Sequence, residues 1–229
     1  TVGAEGADYT NITDAINASS AGDVIELIDD FHQMTKRVYL RTGIDENGKA
    51  LKIKGKSTLT ELNIYFEGSS YPIYMEGNLT NEASVEFENI KFTGARAVYG
   101  VASAFNGFMH FLNCILEINT VSLNSIKELV LDGCTLNTLS SSQCILYDFG
   151  ENLVPDSRIL INNSTFDNVN VDYFIGHNNS VTNRRIGTIS LTNNTIKTDE
   201  SNELCRLFRN NRVKNLDIRG NRLSNYFYI

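Results

Sequence analysis

The sequence predicts an all-β protein, a right-handed parallel β-helix of about seven coils with a short capping helix at its N-terminal end. Three observations lead to this prediction: strand-like segments recur at the spacing of solenoid coils, asparagine is unusually frequent, and one amphipathic helical segment precedes the repeats. We expect one β-helix domain over 1–229, with the cap and first strand in 1–30 and the repeating coils in 51–229. We also expect this domain to be a fragment of a longer chain.

The first element is a short helix. Asp8 or Thr10 supplies a side-chain oxygen suited to an N-cap, and 21–23 (Ala-Gly-Asp) ends the helical pattern before a strand at 24–28. The apolar residues of the segment fall on one helical face: Ile12, Ala15 and Ile16. Because the end of a β-helix exposes unpaired strand edges, a helix lying across it would cover them. We therefore expect a cap.

The later elements follow one template, with apolar residues at positions p, p+2 and p+7 and Asn or Gly at p+4. Six segments fit it: 85–92, 109–116, 129–136, 159–166, 189–196 and 216–223. A seventh, 51–59, fits with one inserted residue. Successive starts of the six lie 24, 20, 30, 30 and 27 residues apart, which is the length of a solenoid coil. We expect these strands to pair in parallel, with the side chains at p and p+2 buried.

The turn of each coil is predicted at p+4. Asparagine accounts for 28 residues of the chain, and Asn tolerates left-handed backbone, as glycine does. We expect Asn113, Asn163 and Asn193 to occupy equivalent bends with left-handed or bridge-region backbone. Gly133 and Gly220 would then form the same bend without a side chain.

The connections between template segments also indicate strands, at 145–147, 173–175 and 204–208, and show no amphipathic helix. Half of the repeats match the strand template of leucine-rich repeats as well, for example 126–136. Leucine-rich repeats need a regular convex side of helix or extended turns, whereas these connections vary in length. The pattern therefore favours the β-helix.

The start of the chain carries four short motifs: Thr1-Val-Gly3, Tyr9-Thr-Asn-Ile12, Ala15-Ile16 and Ala21-Gly-Asp-Val-Ile-Glu-Leu27. These resemble the first segment of the pectin-lyase-like superfamily, which includes pectinesterases, pectate lyases and chondroitinase B-like lyases. The later pattern, with 87–92 and 159–166, is similar to β-helix domains of unknown function in secreted or surface lipoproteins of polysaccharide-degrading gut bacteria. The resemblance implies a right-handed parallel β-helix in a secreted or cell-surface location in the bacterial envelope, with the signal segment outside this chain.

Charge is unevenly distributed along the chain. Residues 1–183 carry a net charge of −12 and residues 184–229 carry +5. Uronate lyases of the family neutralise a substrate carboxylate with Arg or Ca²⁺, and a Lys or Arg base removes a proton. The resemblance and the basic final fifth together predict an acidic polysaccharide as ligand. The predicted binding residues are Arg206, Arg209, Arg212 and Arg219, with Arg184 and Arg185 one coil away.

No catalytic residue is predicted. Asp172-Tyr-Phe-Ile-Gly176 resembles the nucleophile strand of pectinesterases, but the family alignment places the nucleophile near Gln143-Cys144, and the other signatures of the family are missing. On the outer face of the repeats, three side chains in adjacent coils suit a metal or an acid–base pair: Glu88, His110 and Asp132. Leu112, Val130 and Leu160 lie between them and indicate a covered face. We expect no metal and no cofactor.

Cys114 and Cys134 both occupy p+5 in neighbouring coils, so we expect them to stack, as free thiols in preference to a disulfide.

The leading functional hypothesis is a surface module that contacts an acidic polysaccharide without catalysis by this segment. The alternatives are a polyuronide or glycosaminoglycan lyase whose catalytic coils lie here or elsewhere in the chain, and a purely structural or adhesion module. We expect no nucleic-acid partner and no membrane span; further domains of the same chain are possible partners.

Overall fold

The computed structural model describes residues 1–41, 50–56, 59–68, 72–76, 83–94, 98–100, 105–124, 126–138, 143–148, 156–169, 173–177, 186–198, 205–209, 213–224 and 227–228. They form a parallel β-solenoid with one short helix, α1 (Ile12–Ala18). The predicted β-solenoid class and the predicted helix are thus confirmed. No helix within these ranges is long and apolar enough to cross a membrane.

The strands are short, and they follow one another in a regular cycle. In chain order they are β1 (Val24–Glu26), β2 (Phe31–Gln33), β3 (Val38–Arg41), β4 (Ala50–Lys54), β5 (Thr60–Asn63), β6 (Ile73–Glu76), β7 (Ala83–Glu88), β8 (Ile90–Thr93), β9 (Val98–Gly100), β10 (Phe105–Leu112), β11 (Ile115–Ile118), β12 (Val121–Asn124), β13 (Ile126–Asp132), β14 (Thr135–Thr138), β15 (Gln143–Asp148), β16 (Arg158–Asn162), β17 (Thr165–Val169), β18 (Tyr173–His177), β19 (Ile186–Thr192), β20 (Thr195–Thr198), β21 (Cys205–Arg209), β22 (Val213–Arg219), β23 (Arg222–Leu223) and β24 (Phe227–Tyr228).

Every third strand enters the same sheet, so three sheets of eight strands run along the solenoid. The first sheet has the order β1-β4-β7-β10-β13-β16-β19-β22 and contains the template strands. The second has the order β2-β5-β8-β11-β14-β17-β20-β23, and the third runs from β3 through β6, β9, β12, β15, β18 and β21 to β24. The predicted connecting strands are β15, β18 and β21. Each gives its coil a third strand, and these strands form a third sheet, which contradicts the leucine-rich-repeat alternative.

The template strands pair in parallel and in register, as predicted. Phe87 faces Phe111, which faces Leu131, and the row continues through Ile161 and Leu191. All five side chains are buried. The rings of Phe87 and Phe111 stack at 5.2 Å with an interplanar angle of 19°. Equivalent apolar positions thus form continuous ladders, and these ladders are the core.

The last template segment departs from this pattern. We expected Leu216 and Ile218 to be buried, but Leu216 is 52% exposed and Ile218 is only partly buried. Leu223, at p+7, is 37% exposed. The expectation was wrong here because β22 and β23 are the last strands of their sheets, so no further coil covers their side chains.

The turns carry the predicted left-handed backbone. The φ values of Asn113, Asn163 and Asn193 are 51°, 50° and 56°, and those of Gly133 and Gly220 are 64° and 67°. A Cβ atom built on Gly133 would lie 2.5 Å from Asn113 Oδ1, so the amide of the preceding coil occupies the space that glycine leaves. The Asn and Gly residues at p+4 are therefore equivalent positions in a stacked ladder.

Position p+5 lies inside the solenoid and forms a second ladder. Cys134 N–H donates to Ser164 Oγ (3.1 Å), and Ser164 N–H donates to Asn194 Oδ1 (2.9 Å). Cys114 and Cys134 begin this ladder as buried free thiols, as expected. The hydrogen bond with the Cys134 sulfur, together with burial, raises the pKa of the Cys114 thiol. A thiol held protonated in this way is not a nucleophile.

Helix α1 covers the N-terminal end of the solenoid, as predicted. Its N-cap is Asn11, whose Oδ1 accepts the backbone N–H of Asp14 at 2.9 Å. The prediction of Asp8 or Thr10 as N-cap was wrong, because Asp8 instead binds the Thr1 ammonium group at 2.7 Å. The apolar face of α1 is buried against the interior of the first coils: Ile12, Ala15 and Ile16.

Candidate functional site on the first sheet

The structure distributes the predicted arginines over different sheets. Arg206 and Arg209 lie on β21 of the third sheet, whereas Arg219 lies on β22 of the first. Arg206 donates to Tyr173 Oη at 2.9 Å and lies over the Tyr173 ring, with 5.6 Å between Cζ and the ring centroid. Arg219 binds Asp217 through two hydrogen bonds of 2.7 Å. Arg212, Arg184 and Arg185 lie outside the described residues, so binding by this set stays a prediction.

A denser group of functional side chains lies on the outer face of the first sheet, in its central coils. The strand position before the buried p residue faces outward, and the register places Phe108, Glu128 and Arg158 side by side at that position. His110, two residues after Phe108 on β10, lies on the same face. We call Phe108, His110, Lys127, Glu128 and Arg158 the Glu128 cluster.

Glu128 is the centre of the cluster and is only 6% exposed, although it belongs to an outer face. Its Oε1 lies 3.0 Å from His110 Nε2, and its Oε2 forms an ion pair with Arg158 Nη2. A buried carboxylate is costly unless it is paired and hydrogen-bonded, and these two contacts compensate both oxygens. The Arg158 side chain remains 49% exposed, so the carboxylate holds one side of a guanidinium whose other side faces solvent.

An aromatic ring and a second cation complete the cluster. The Phe108 ring contacts the His110 ring edge to face, with centroids 6.2 Å apart at 73°. Lys127 Nζ lies 5.1 Å from the centroid of Phe108. Both rings are partly exposed. Since a cation over an aromatic face is favourable, the ring and the ammonium group position each other. The cluster therefore presents two cations, an imidazole and a ring on one flat face.

The three outer-face residues suggested from the sequence do not meet. Glu88 pairs with Lys52, and Asp132 Oδ1 accepts a hydrogen bond from Asn163 Nδ2 at 3.0 Å. His110 pairs with Glu128 instead of either residue. Among the residues that the structure describes, no three His, Cys, Asp or Glu side chains form a group suited to a metal ion. Asp172, the weak esterase candidate, lies outside them.

Sequence reasoning found His110 and missed the rest of the cluster. The template analysis considered the outward positions p+1 and p+3, whereas Phe108, Glu128 and Arg158 occupy the position before p. The same alternation of inward and outward residues applies there, so an outward row with a ring, a carboxylate and a guanidinium in consecutive coils was a readable signal. That row does not show, however, that the His110 side chain reaches diagonally across to Glu128.

No protein-family model, curated protein or solved structure matches the chain. The class of the protein therefore comes from its own architecture, and that class is the parallel β-solenoids.

Proposed function

We propose that the protein is a secreted or cell-surface β-solenoid module that contacts an acidic polysaccharide, without catalysis by residues 1–229. The observation that carries the proposal is the Glu128 cluster, in which a buried carboxylate pairs with a half-exposed guanidinium on one neighbouring strand and with a histidine beside an aromatic ring on the other. The rows of a solenoid sheet offer an elongated, flat surface, which suits an extended chain ligand better than a compact one.

The cations account for recognition of acidic groups. A guanidinium donates parallel hydrogen bonds to a carboxylate or sulfate and is weakly hydrated, so Arg158 is suited to a uronate or a sulfated sugar. Glu128 limits the rotation of Arg158, which reduces the entropy lost on binding. Lys127, the residue before Glu128 on β13, adds a second positive charge.

The rings account for contact with the sugar itself. Phe108 and His110 are partly exposed and lie next to each other on β10. An aromatic face offers apolar area at low conformational cost, and apolar C–H groups of a pyranose ring can pack on it. A ring with two cations on the neighbouring strands matches a ligand that is apolar on its faces and anionic at its edge.

A lyase is the second candidate, and the contact between His110 and Glu128 is the observation that favours it. A histidine within hydrogen-bond reach of a carboxylate is a possible general base, and Arg158 would neutralise the substrate carboxylate. Such an enzyme would release unsaturated uronate products, which absorb ultraviolet light.

The test is affinity gel electrophoresis on pectate, alginate and chondroitin sulfate, with a neutral dextran gel as reference. We expect retardation on at least one acidic gel and loss of most of it in Lys127→Ala and Phe108→Ala. Arg158→Lys keeps the charge that Glu128 needs but loses the fork, so we expect several-fold weaker binding from it. The matched control is Lys197→Ala, an exposed cation on the second sheet.

Two further variants separate the cluster from the arginines predicted from the sequence. If Arg206→Ala and Arg219→Ala abolish retardation while Lys127→Ala does not, the ligand binds the final coils and the Glu128 cluster is not the site. Equal mobility of all proteins on acidic and neutral gels contradicts glycan binding and favours the structural or adhesion module. Ultraviolet-absorbing products that disappear in His110→Gln would establish the lyase.

The finer description of the fold belongs to the same proposal. We propose right-handed winding, because connections between parallel strands of one sheet are almost always right-handed, and about seven complete coils. The motifs at the start of the chain support membership of the pectin-lyase-like superfamily, as do the helix cap and the three-sheet coils. A crystal structure of the chain would decide all three statements.

A further inference from the structure

The outer face of the first sheet continues from the Glu128 cluster into a group of apolar side chains. On its central strands the outward residues alternate with buried ones, and the parallel register places them on a regular grid. The row next to Glu128 consists of His110, Val130 and Leu160, one from each of β10, β13 and β16. Leu112, two residues after His110, lies diagonally beside Val130. We call Leu112, Val130 and Leu160 the apolar patch.

The apolar patch lies on the solvent side of the sheet. Its three side chains are partly exposed, whereas the residues between them along the strands, such as Leu129 and Ile159, are fully buried. Single exposed apolar side chains are ordinary, whereas adjacent ones rimmed by polar groups mark contact surfaces. The patch is therefore a candidate extension of the site at Glu128.

The sheet fixes the distances between the cluster and the patch. Adjacent strands lie about 4.8 Å apart, and residues two positions apart on one strand are separated by about 6.6 Å. Leu160 lies one such step along β16 from Arg158, and Val130 lies one step along β13 from Glu128. A sugar whose acidic group pairs with Arg158 would therefore place another substituent, on the same ring or on the next one, over the patch.

The charges around the patch decide which kind of ligand can cover it. On one side, β7 presents Glu86 and Glu88, whose carboxylates both bind Lys52. On the other side, β16 and β19 carry no acidic residue. An acidic chain is thus attracted to Arg158 and meets no opposing charge from there towards β19. This direction leads across Leu160.

Hydroxyl groups border the patch on β19. The outward residues of this strand are Thr188, Ser190 and Thr192, and the register places the first two beside Arg158 and Leu160. A hydroxyl group both donates and accepts hydrogen bonds, and so do the hydroxyl groups of a sugar. The side of the patch away from β7 therefore suits the uncharged part of a glycan.

We propose that the ligand at the Glu128 cluster is an acetylated acidic polysaccharide, and that the apolar patch binds an acetyl group beside the acidic group held by Arg158. This inference rests on the proposed function, because one ligand covers both cluster and patch. An acetyl group carries a methyl group and no charge, so it gains from contact with Val130 and Leu160 while the acidic group pairs with Arg158. An unsubstituted polyuronate would leave the patch in water.

The test compares pectate and alginate with their own chemically O-acetylated forms in affinity gels, with acetylated dextran as the neutral reference. The plain and acetylated forms carry the same carboxylates, so they differ in the acetyl groups alone. We expect the acetylated form to bind about fourfold or more tightly, which corresponds to one methyl group removed from water. Removal of the acetyl groups with mild alkali should restore the affinity of the plain form.

Val130→Thr combined with Leu160→Thr is the decisive variant. Threonine suits a strand but offers less apolar surface, so the plain and acetylated forms should bind equally to this protein. The matched control is Ile115→Thr, a partly exposed apolar residue on the outer face of β11 in the second sheet, which should keep the preference. Circular dichroism of each variant verifies folding.

The possible failures are distinguishable. If the wild type is retained equally by plain and acetylated gels, the proposed function stands and this inference is overturned. Retention on none of the acidic gels overturns both. Retention on acetylated dextran as strong as on acetylated pectate would show that no acidic group is needed, which contradicts the proposal. A dimer in sedimentation velocity that the double variant dissociates would show that a second copy covers the patch, and this would also overturn it.

Discussion

The N-terminal and C-terminal ends of the solenoid are built from the same kind of coil but are finished differently. At the N-terminal end, α1 covers the coil interior and Ile25 on the first strand is buried. At the C-terminal end, Leu216 is half exposed, although its equivalents Leu129 and Ile159 in central coils are fully buried. An apolar residue at a template position is therefore only a candidate for the core. Burial requires a neighbouring coil or a cap.

The two ends also differ in charge. The cap is a finished surface and carries acidic side chains that face solvent, whereas the last coil combines basic side chains with exposed apolar ones. We therefore expect the two ends to differ in stability and in the contacts that stabilise them.

The largest effect is expected for the core ladder. Ile161→Ala, in a fully buried position of a central coil, should lower the free energy of unfolding by about 2–5 kcal/mol, because it removes apolar contacts and leaves a cavity. Leu223→Ala, at the open end, should cost less than about 1 kcal/mol, because its side chain is already exposed. Urea denaturation followed by circular dichroism measures both. Equal losses would show that the C-terminal end is covered.

The turn ladder should give the next largest effect. Asn163→Val should destabilise by about 1–2 kcal/mol, since a β-branched residue disfavours left-handed backbone and the hydrogen bond to Asp132 is lost. Asn163→Gly is the control, because it keeps the backbone conformation and loses only the side chain. If the two variants unfold at the same urea concentration, backbone strain contributes nothing at this turn.

The cap itself is tested at Asn11. Asn11→Ala removes the acceptor for Asp14 N–H and should cost about 1 kcal/mol, whereas Asn11→Ser keeps an acceptor and should cost little. Hydrogen exchange at the amides of α1 reports this locally, and it should speed up in the alanine variant alone. Unchanged exchange in both variants would mean that packing of Ile12 and Ile16 alone holds the helix.

The smallest effect is a pH dependence confined to the capped end. Burial lowers the pKa of His32, opposing the nearby Asp29, which favours the charged form; Lys56 adds to the lowering. The unfolded state then binds more protons, so stability is complete above about pH 6.5 and decreases as the pH falls towards the folded-state pKa. We expect His32→Gln to lose part of the pH dependence of unfolding between neutral and mildly acidic pH. Parallel pH profiles of the two proteins would contradict this.

Much of the fold could be predicted because the same physical requirement recurs at the same position of every repeat. The p and p+2 residues, such as Leu129 and Leu131, must be apolar because both lie on the inner face of a strand. Asn or Gly recurs at p+4 because these residues adopt φ near 50–67° at little cost. Such requirements are local, and one sequence is enough to reveal them.

The candidate site was harder to predict because it depends on contacts between coils. His110 and Glu128 are 18 residues apart, and their pairing requires the exact stacking of β10 on β13 and the directions of both side chains. The N-cap was misassigned for a related reason: Asp8, Thr10 and Asn11 can all cap a helix. The helix begins at Ile12, so Asn11 is the residue that accepts Asp14 N–H, while Asp8 accepts a hydrogen bond from the Thr1 ammonium group.

Residue spacing was enough to predict the class of fold, the parallel coils, the left-handed turns and the helix at the start of the chain, because each follows from the order of residue types along a strand or a helix turn. Spacing did not reveal which template residues are buried, which arginines share a face and which partner Glu128 takes. Those outcomes depend on which coil lies next to which, and a free energy of burial or pairing exists only once the neighbour is in place.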